Sequence, residues 1–179
     1  KEGKVIYEHA YGYAQKQVLV TNYATEISQV LKPMSTNTLF DIASLTKVVG
    51  TTTGIMLLVD KGKISVDDPV GKYVPAFNAP DKKTITIRHL LTHTAGLYEW
   101  YPMYYRAHTK EETYKLIGEL PLHFPVGQQR KYSDLGFTIL GEIIEIVSGK
   151  PLDRFLKEDI CIPLGMKHTL YNPIFDARK

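Results

Sequence analysis

Residues 39–59 read LFDIASLTKVVGTTTGIMLLV, and the way this stretch is spaced decides how the rest of the chain is read. From Leu45 onward the apolar residues fall at 45, 48, 49, 55, 56 and 59, with Thr52 in the remaining place. That is the repeat of one helix face and not the alternation of a strand. An extended apolar run therefore turns into a helix at Ser44. The helix is expected to end near Asp60 to Gly62, with Lys61 in the last turn and Gly62 just past it.

Lys47 follows Ser44 by three positions, so on a helix the two share a face with Cβ atoms roughly 5 to 6 Å apart. The lysine can reach the serine hydroxyl. Held among Ile42, Val48 and Val49, it loses water, which disfavours its charged form and suits it to act as a general base. The first helical turn also brings unpaired N–H groups and the positive end of the dipole to an oxygen developing charge beside Ser44. A serine can become a nucleophile in this way without a histidine. The motif alone does not decide the matter, because an N-cap serine followed by a surface lysine has the same spelling.

The 179 residues are 44% hydrophobic and contain no run of 18 or more apolar residues, so the chain can bury a core and has no membrane-spanning segment. A net charge of +3, spread over scattered Lys and Arg, gives neither a nucleic-acid stripe nor a polybasic patch. The lone cysteine, Cys161, excludes an internal disulfide framework and a Cys-based metal site. The opening KEGKVIYEHAYGYA has no initiator methionine and no apolar h-region, so no signal peptide is expected within this chain.

Lys4 to Ala14 reads as a strand or bent strand pair, and Val18 to Val20 as a second β-like run. Pro33 to Asn37 is a loop. After the Ser44 helix, Asp68-Pro69 marks a short helix start, and Thr86 caps the short helix IRHLLTH. His89 and His93 are four apart, like half a zinc site. Position 90 is Leu where a metalloprotease needs Glu, and no third ligand is suggested, so both are read as structural histidines and no metal is expected. Residues 97–105, LYEWYPMYY, hold the only tryptophan and four of the 12 tyrosines. Such a loop either lines a ligand cleft, through Tyr98 and Trp100, or plugs the core. Thr109 and Glu112 spell a capping box for a helix to about Gly118. Pro121, Pro125 and Gly127 enforce an extended loop that delivers Lys131-Tyr132-Ser133-Asp134 to a helix over 135–148, closed by Gly149. A last helix spans about Pro151 to Ile160.

Taken in order, Ser44-x-x-Lys47, HLLTHTAGL at 89–97, YSD at 132–134 and PLGM at 163–166 closely resemble the serine β-lactamase and penicillin-binding protein superfamily. The nearer branch is the class C β-lactamase type, which also holds D,D-peptidases and esterases. The resemblance implies an α/β domain with an antiparallel sheet, abutting a mostly helical (all-α) domain, in a β-lactamase/transpeptidase-like fold. On the matching positions Ser44 is implied as the acylated nucleophile, Lys47 as its base, and Tyr132 as the tyrosine that passes a proton to the leaving group. No cofactor is implied. The implied substrate is a small molecule or peptide with a β-lactam, amide or ester carbonyl. The implied location of the parent protein is the cell envelope or outside the cell.

Two departures bear on that expectation. Asp134 stands where the family usually has Asn: a carboxylate can accept a hydrogen bond from Lys47 but has no N–H for a substrate carbonyl, and it holds Lys47 charged. Second, no Lys-Thr-Gly or His-x-Gly element follows before Lys179. In the family that strand completes the oxyanion hole, where one lost donor costs about 100- to 1,000-fold in rate. The expected fold is therefore truncated, with N-terminal strands over 1–40, a largely present helical domain over 41–179 carrying the nucleophile helix, an incomplete antiparallel sheet, and the C-terminal strands and terminal helix absent. An unpaired strand edge predicts self-association or lowered stability. The alternative to a hydrolase is a penicillin or peptidoglycan binding or sensor module that does not turn over.

Overall fold

In a computed structural model, the structure describes residues 1–16 and 31–171. The chain divides into two compact units, Lys1–Ile42 and Ala43–Lys179. In the first, strand β1 (Tyr13–Gln15) pairs antiparallel with β2 (Lys32–Pro33), in the register Tyr13 opposite Pro33 and Gln15 opposite Lys32. The strand expected over Lys4 to Ala14 is thus confined to its last residues and one beyond. The cause is visible in Val5 and Ile6, which are 77% and 78% exposed: β-branched residues favour a strand only when a neighbouring strand or layer covers them. The β-like run Val18 to Val20 lies outside the described residues.

The second unit is helical and is built on α4 (Asp134–Ser148), the longest helix among the described residues. Its apolar residues recur at 135, 139, 140, 143 and 144, and all are buried. Around it pack α1 (Thr53–Asp60), α2 (Ile87–Leu91) and α5 (Leu152–Phe155), while α3 (Lys110–Glu119) packs on the short 3-10 turn Pro75–Asn78. Ile55 and Leu58 of α1, Ile87 and Leu90 of α2, and Phe155 after Pro151 share one apolar core with α4. Each such side chain contributes about 1.5 to 3 kcal/mol by leaving water. Cys161 is among the buried residues.

Helix ends follow the chemistry of their caps. Thr86 Oγ1 accepts from the His89 N–H, Thr109 Oγ1 from the Glu112 N–H, and Ser133 Oγ from the Gly136 N–H. Gly149, at φ 69°, closes α4.

The helix that begins after Ser44 differs from its expected form in two respects. Lys47–Thr52 winds as a π-helix before α1 continues from Thr53. The face it buries is Gly50, Thr51, Gly54, Ile55 and Leu58, whereas Leu45, Val48 and Met56 of the expected apolar face stand 61%, 62% and 63% exposed. Two glycines explain the rotation. A Cβ on Gly54 would lie 2.9 Å from Ile144 Cδ1, and one on Gly50 would lie 3.0 Å from Leu156 Cδ1. Glycine at 50 and 54 lets this helix approach α4 and α5 more closely than a larger residue would allow, and that close contact outweighs the lure of the Leu45 side.

Candidate active site

Ser44 sits in the turn immediately before the helix, and the preceding residue, Ala43, adopts φ 43°. A non-glycine residue in the left-handed region costs free energy, and such strain gathers where a side chain must be presented at a sharp angle. Lys47 Nζ donates to Ser44 Oγ at 3.2 Å, and Tyr132 OH donates to the same oxygen at 2.8 Å. Asp134 closes the group, its Oδ1 lying 2.6 Å from Lys47 Nζ. Two side chains from separate stretches of sequence, Lys47 and Tyr132, thus converge on the Ser44 hydroxyl oxygen, and Asp134 holds the lysine from behind.

The electrostatics of Lys47 are contested between opposing effects. Burial of its ammonium is the largest and works to lower its pKa. The hydrogen bond to Asp134, that to Tyr132 and the attraction of the Asp134 charge together outweigh it, so the pKa lies above the ordinary 10.5. The ammonium also stands 4.8 Å from the centre of the Tyr132 ring, which favours the cation further. Lys47 is therefore protonated in the resting site, as a carboxylate at position 134 requires, and Ser44 Oγ accepts two hydrogen bonds instead of giving one.

The segment carrying Tyr132 is fixed by the loop over 93–99. Lys131 N donates to His93 O at 2.8 Å, Ser133 N to His93 Nδ1 at 3.1 Å, Ser133 Oγ to Tyr98 O at 2.6 Å, and Asp134 N to Glu99 O at 2.8 Å. His93 itself is at φ 60°, with its ring centre 4.7 Å from that of Tyr132. Gly96, at φ 79°, is irreplaceable here: a Cβ would lie 2.2 Å from the Phe124 carbonyl oxygen. The second motif of the chain is therefore the seat of the third.

Ser44, Lys47 and Asp134 line a cleft of about 740 Å³ that runs along α4 past Thr138 to Glu142 and Lys110. Two of its carboxylates, Glu145 and Glu142, have partners within the protein. Glu145 accepts from Lys110 Nζ at 2.7 and 2.9 Å and from Leu152 N at 2.7 Å, and Glu142 hydrogen-bonds Tyr114. Burial, then that bond, push the Tyr114 hydroxyl well above the ordinary tyrosine range. Among the described residues, no three His, Cys, Asp or Glu side chains are grouped to hold a metal ion. His89 Nδ1 accepts from Thr86 N at 3.1 Å, so it and His93 each spend one ring nitrogen on the backbone.

Of the two aromatic residues expected to meet a substrate, neither lines this cleft. The Tyr98 ring stacks on His123 at 5.1 Å, and it is the Tyr98 carbonyl that touches the site, through Ser133. Trp100 is 57% exposed. The contacts of His93 with Lys131 and Ser133, on both sides of Tyr132, were not legible from spacing, because they link positions about 40 apart. The only local signal was a histidine in a turn before Gly96.

The family model described as Beta-lactamase matches residues 1–178, and the chain belongs to that family. It is 33% identical to the N-acetylmuramyl-L-alanine amidase of Bacillus subtilis (strain 168), over 97% of this chain and 41% of that protein. Among solved structures it is similar to the penicillin binding protein of Bacillus halodurans, with a TM-score of 0.67 and 29% identity over 79% of this chain and 44% of that one. It is also similar to the Beta-lactamase/D-alanine Carboxypeptidase of Yersinia pestis, with a TM-score of 0.60 and 30% identity over 70% of this chain and 38% of that one. The fold is β-lactamase/transpeptidase-like. The chain spans less than half the length of each of these relatives.

Proposed function

We propose that the chain acts as a serine hydrolase on an amide, β-lactam or ester carbonyl, through an acyl-enzyme on Ser44. The observation that carries this reading is the convergence of Lys47 Nζ and Tyr132 OH on Ser44 Oγ at 3.2 and 2.8 Å. In the proposed sequence Lys47 first yields a proton, to Asp134 or to water, and the neutral amine then takes the Ser44 proton as Oγ attacks the carbonyl carbon. The carbonyl π electrons move to oxygen. When the tetrahedral adduct collapses, the bond to the leaving nitrogen or oxygen breaks, Tyr132 supplies the proton that group needs, and Lys47 returns to Tyr132 the proton it took from Ser44. Water then cleaves the ester on Ser44 and restores the hydroxyl.

The names of the relatives support a cell-wall peptide or a β-lactam as the substrate class, and an envelope or secreted location fits that chemistry. Asp134 offers a substrate carbonyl no N–H when ionised, which favours esters and peptides over β-lactams. Self-association belongs to the same proposal: Leu45, Val48 and Met56 form an exposed apolar helix face, and Val5 and Ile6 are exposed as well. Light scattering across a concentration series tests it, and a monomer throughout would count against it.

The test of function is turnover of three substrates, an activated acyl ester, a peptide ending in D-Ala-D-Ala and a penicillin, each with Ser44→Ala alongside. Many turnovers per molecule with any of them, lost in the variant, are expected. A single Ser44-bound acyl group without turnover would instead mark a binding module.

A further inference from the structure

We infer that His93 is a positioning residue for Tyr132, a clamp that holds the tyrosine hydroxyl on Ser44. Nothing in the proposed chemistry uses this histidine, yet it touches three consecutive residues of the segment that does. Its carbonyl accepts the Lys131 N–H at 2.8 Å, its Nδ1 accepts the Ser133 N–H at 3.1 Å, and its ring lies against the Tyr132 ring at 4.7 Å. Behind it the ring rests on Phe137 of α4 at 5.1 Å. With residues 131 and 133 both tied to one histidine, the Cα of Tyr132 has little freedom, and the stacked ring restricts its side-chain torsions. The backbone pays for this with φ 60° at His93, a conformation that only a few residue types tolerate.

The clamp is sensitive to protonation. Nδ1 must be bare to accept the Ser133 N–H, so a proton there turns an acceptor into a donor aimed at a donor. The groups facing the ring are Lys47 from the nucleophile helix, Asp134 from the start of α4, and Arg130 and Tyr132 from the loop. Burial first, then the Arg130 and Lys47 charges, hold the imidazole below its ordinary 6.5, against a smaller opposing pull from Asp134. The clamp is thus closed at neutral pH and opens as the pH falls through that depressed value.

The effect on rate rests on the serine hydrolase reading, so the test has one part independent of activity. In the chain labelled with ¹⁵N-histidine, ¹⁵N-serine and ¹³C-tyrosine, NMR is expected to show His93 as the Nε2–H tautomer. The Ser133 amide and the Tyr132 ring should then shift together with the His93 titration. In His93→Asn, whose side-chain oxygen keeps the acceptor and whose backbone tolerates the left-handed region, those shifts should vanish. Kinetically, His93→Ala should slow acylation of Ser44 by roughly 10- to 100-fold with little change in KM, and His93→Asn should recover most of the loss and remove the additional fall in rate that accompanies His93 protonation, leaving the limb set by Lys47 in place. A Tyr132 ring and Ser133 amide that ignore the His93 titration would overturn the inference. If Ser44→Ala retains activity, the hydrolase reading fails, and the NMR result alone decides the role of His93.

Discussion

Lys47 is held more closely by Asp134 than by the serine it would serve, at 2.6 Å against 3.2 Å. The carboxylate fixes the ammonium within reach of Ser44 and at the same time keeps it protonated, so the proton on Lys47 is the gate to the proposed reaction.

Asp134→Asn removes the charge that raises the lysine pKa and leaves burial, which lowers it. The acid limb of the acylation rate against pH should therefore move to lower pH, and acylation by a penicillin should rise by about tenfold or more as an amide N–H becomes available. The sign for stability is the reverse. A lysine whose pKa is raised on folding stabilises the fold below its unfolded value, and that contribution disappears as pH rises through the elevated folded value. Thermal melts of the wild-type chain should lose that contribution only in strongly alkaline buffer, and those of the Asn variant should show no such loss. An acid limb that stays in place would show that Lys47 does not govern the rate.

Tyr132→Phe keeps the ring beside His93 and deletes only the hydroxyl that reaches Ser44. Acylation should fall by about 100-fold or more, the usual worth of a positioned proton donor, with less effect on activated esters, whose leaving groups need no proton. Equal losses on amides and activated esters would assign Tyr132 to binding instead.

Gly96→Ala places a Cβ against the Phe124 carbonyl, at a φ that alanine resists. A loss on the order of 3 kcal/mol is expected in denaturant unfolding, together with disordering of the Tyr132 segment, because the 93–99 loop carries it. Stability within 1 kcal/mol of the parent, about the worth of one ordinary hydrogen bond, would mean that the loop relaxes freely.

What was legible in the sequence was what depends on neighbours along the chain. The Ser44 to Lys47 spacing, the caps at Thr86 and Thr109 and the stop at Gly149 are local rules, and the structure obeys them. The meeting of Tyr132 with Ser44 joins positions 88 apart, and only the ordered motifs of a family could anticipate it. Periodicity found the helix after Ser44 but misjudged its buried face, since Gly50 and Gly54 act through what they let approach and carry no hydrophobic signal. The run Val5-Ile6-Tyr7 has strand character but no strand beside it among the described residues. Tyr98 enters through its carbonyl, an atom every residue has, so no side-chain pattern could mark it.

The central claim is that Ser44 Oγ becomes acylated with Lys47 as its base, and intact-protein mass spectrometry after incubation with a penicillin and with an activated acyl ester tests it most directly. A mass increase of one acyl group, mapped to the peptide holding Ser44 and absent in both Ser44→Ala and Lys47→Ala, is the expected result. If no adduct accumulates, consumption of the compound that depends on Ser44 has the same meaning, because the acyl group is then released faster than it builds up. An adduct that persists in Ser44→Ala, or compounds left intact with no adduct formed, would contradict the claim.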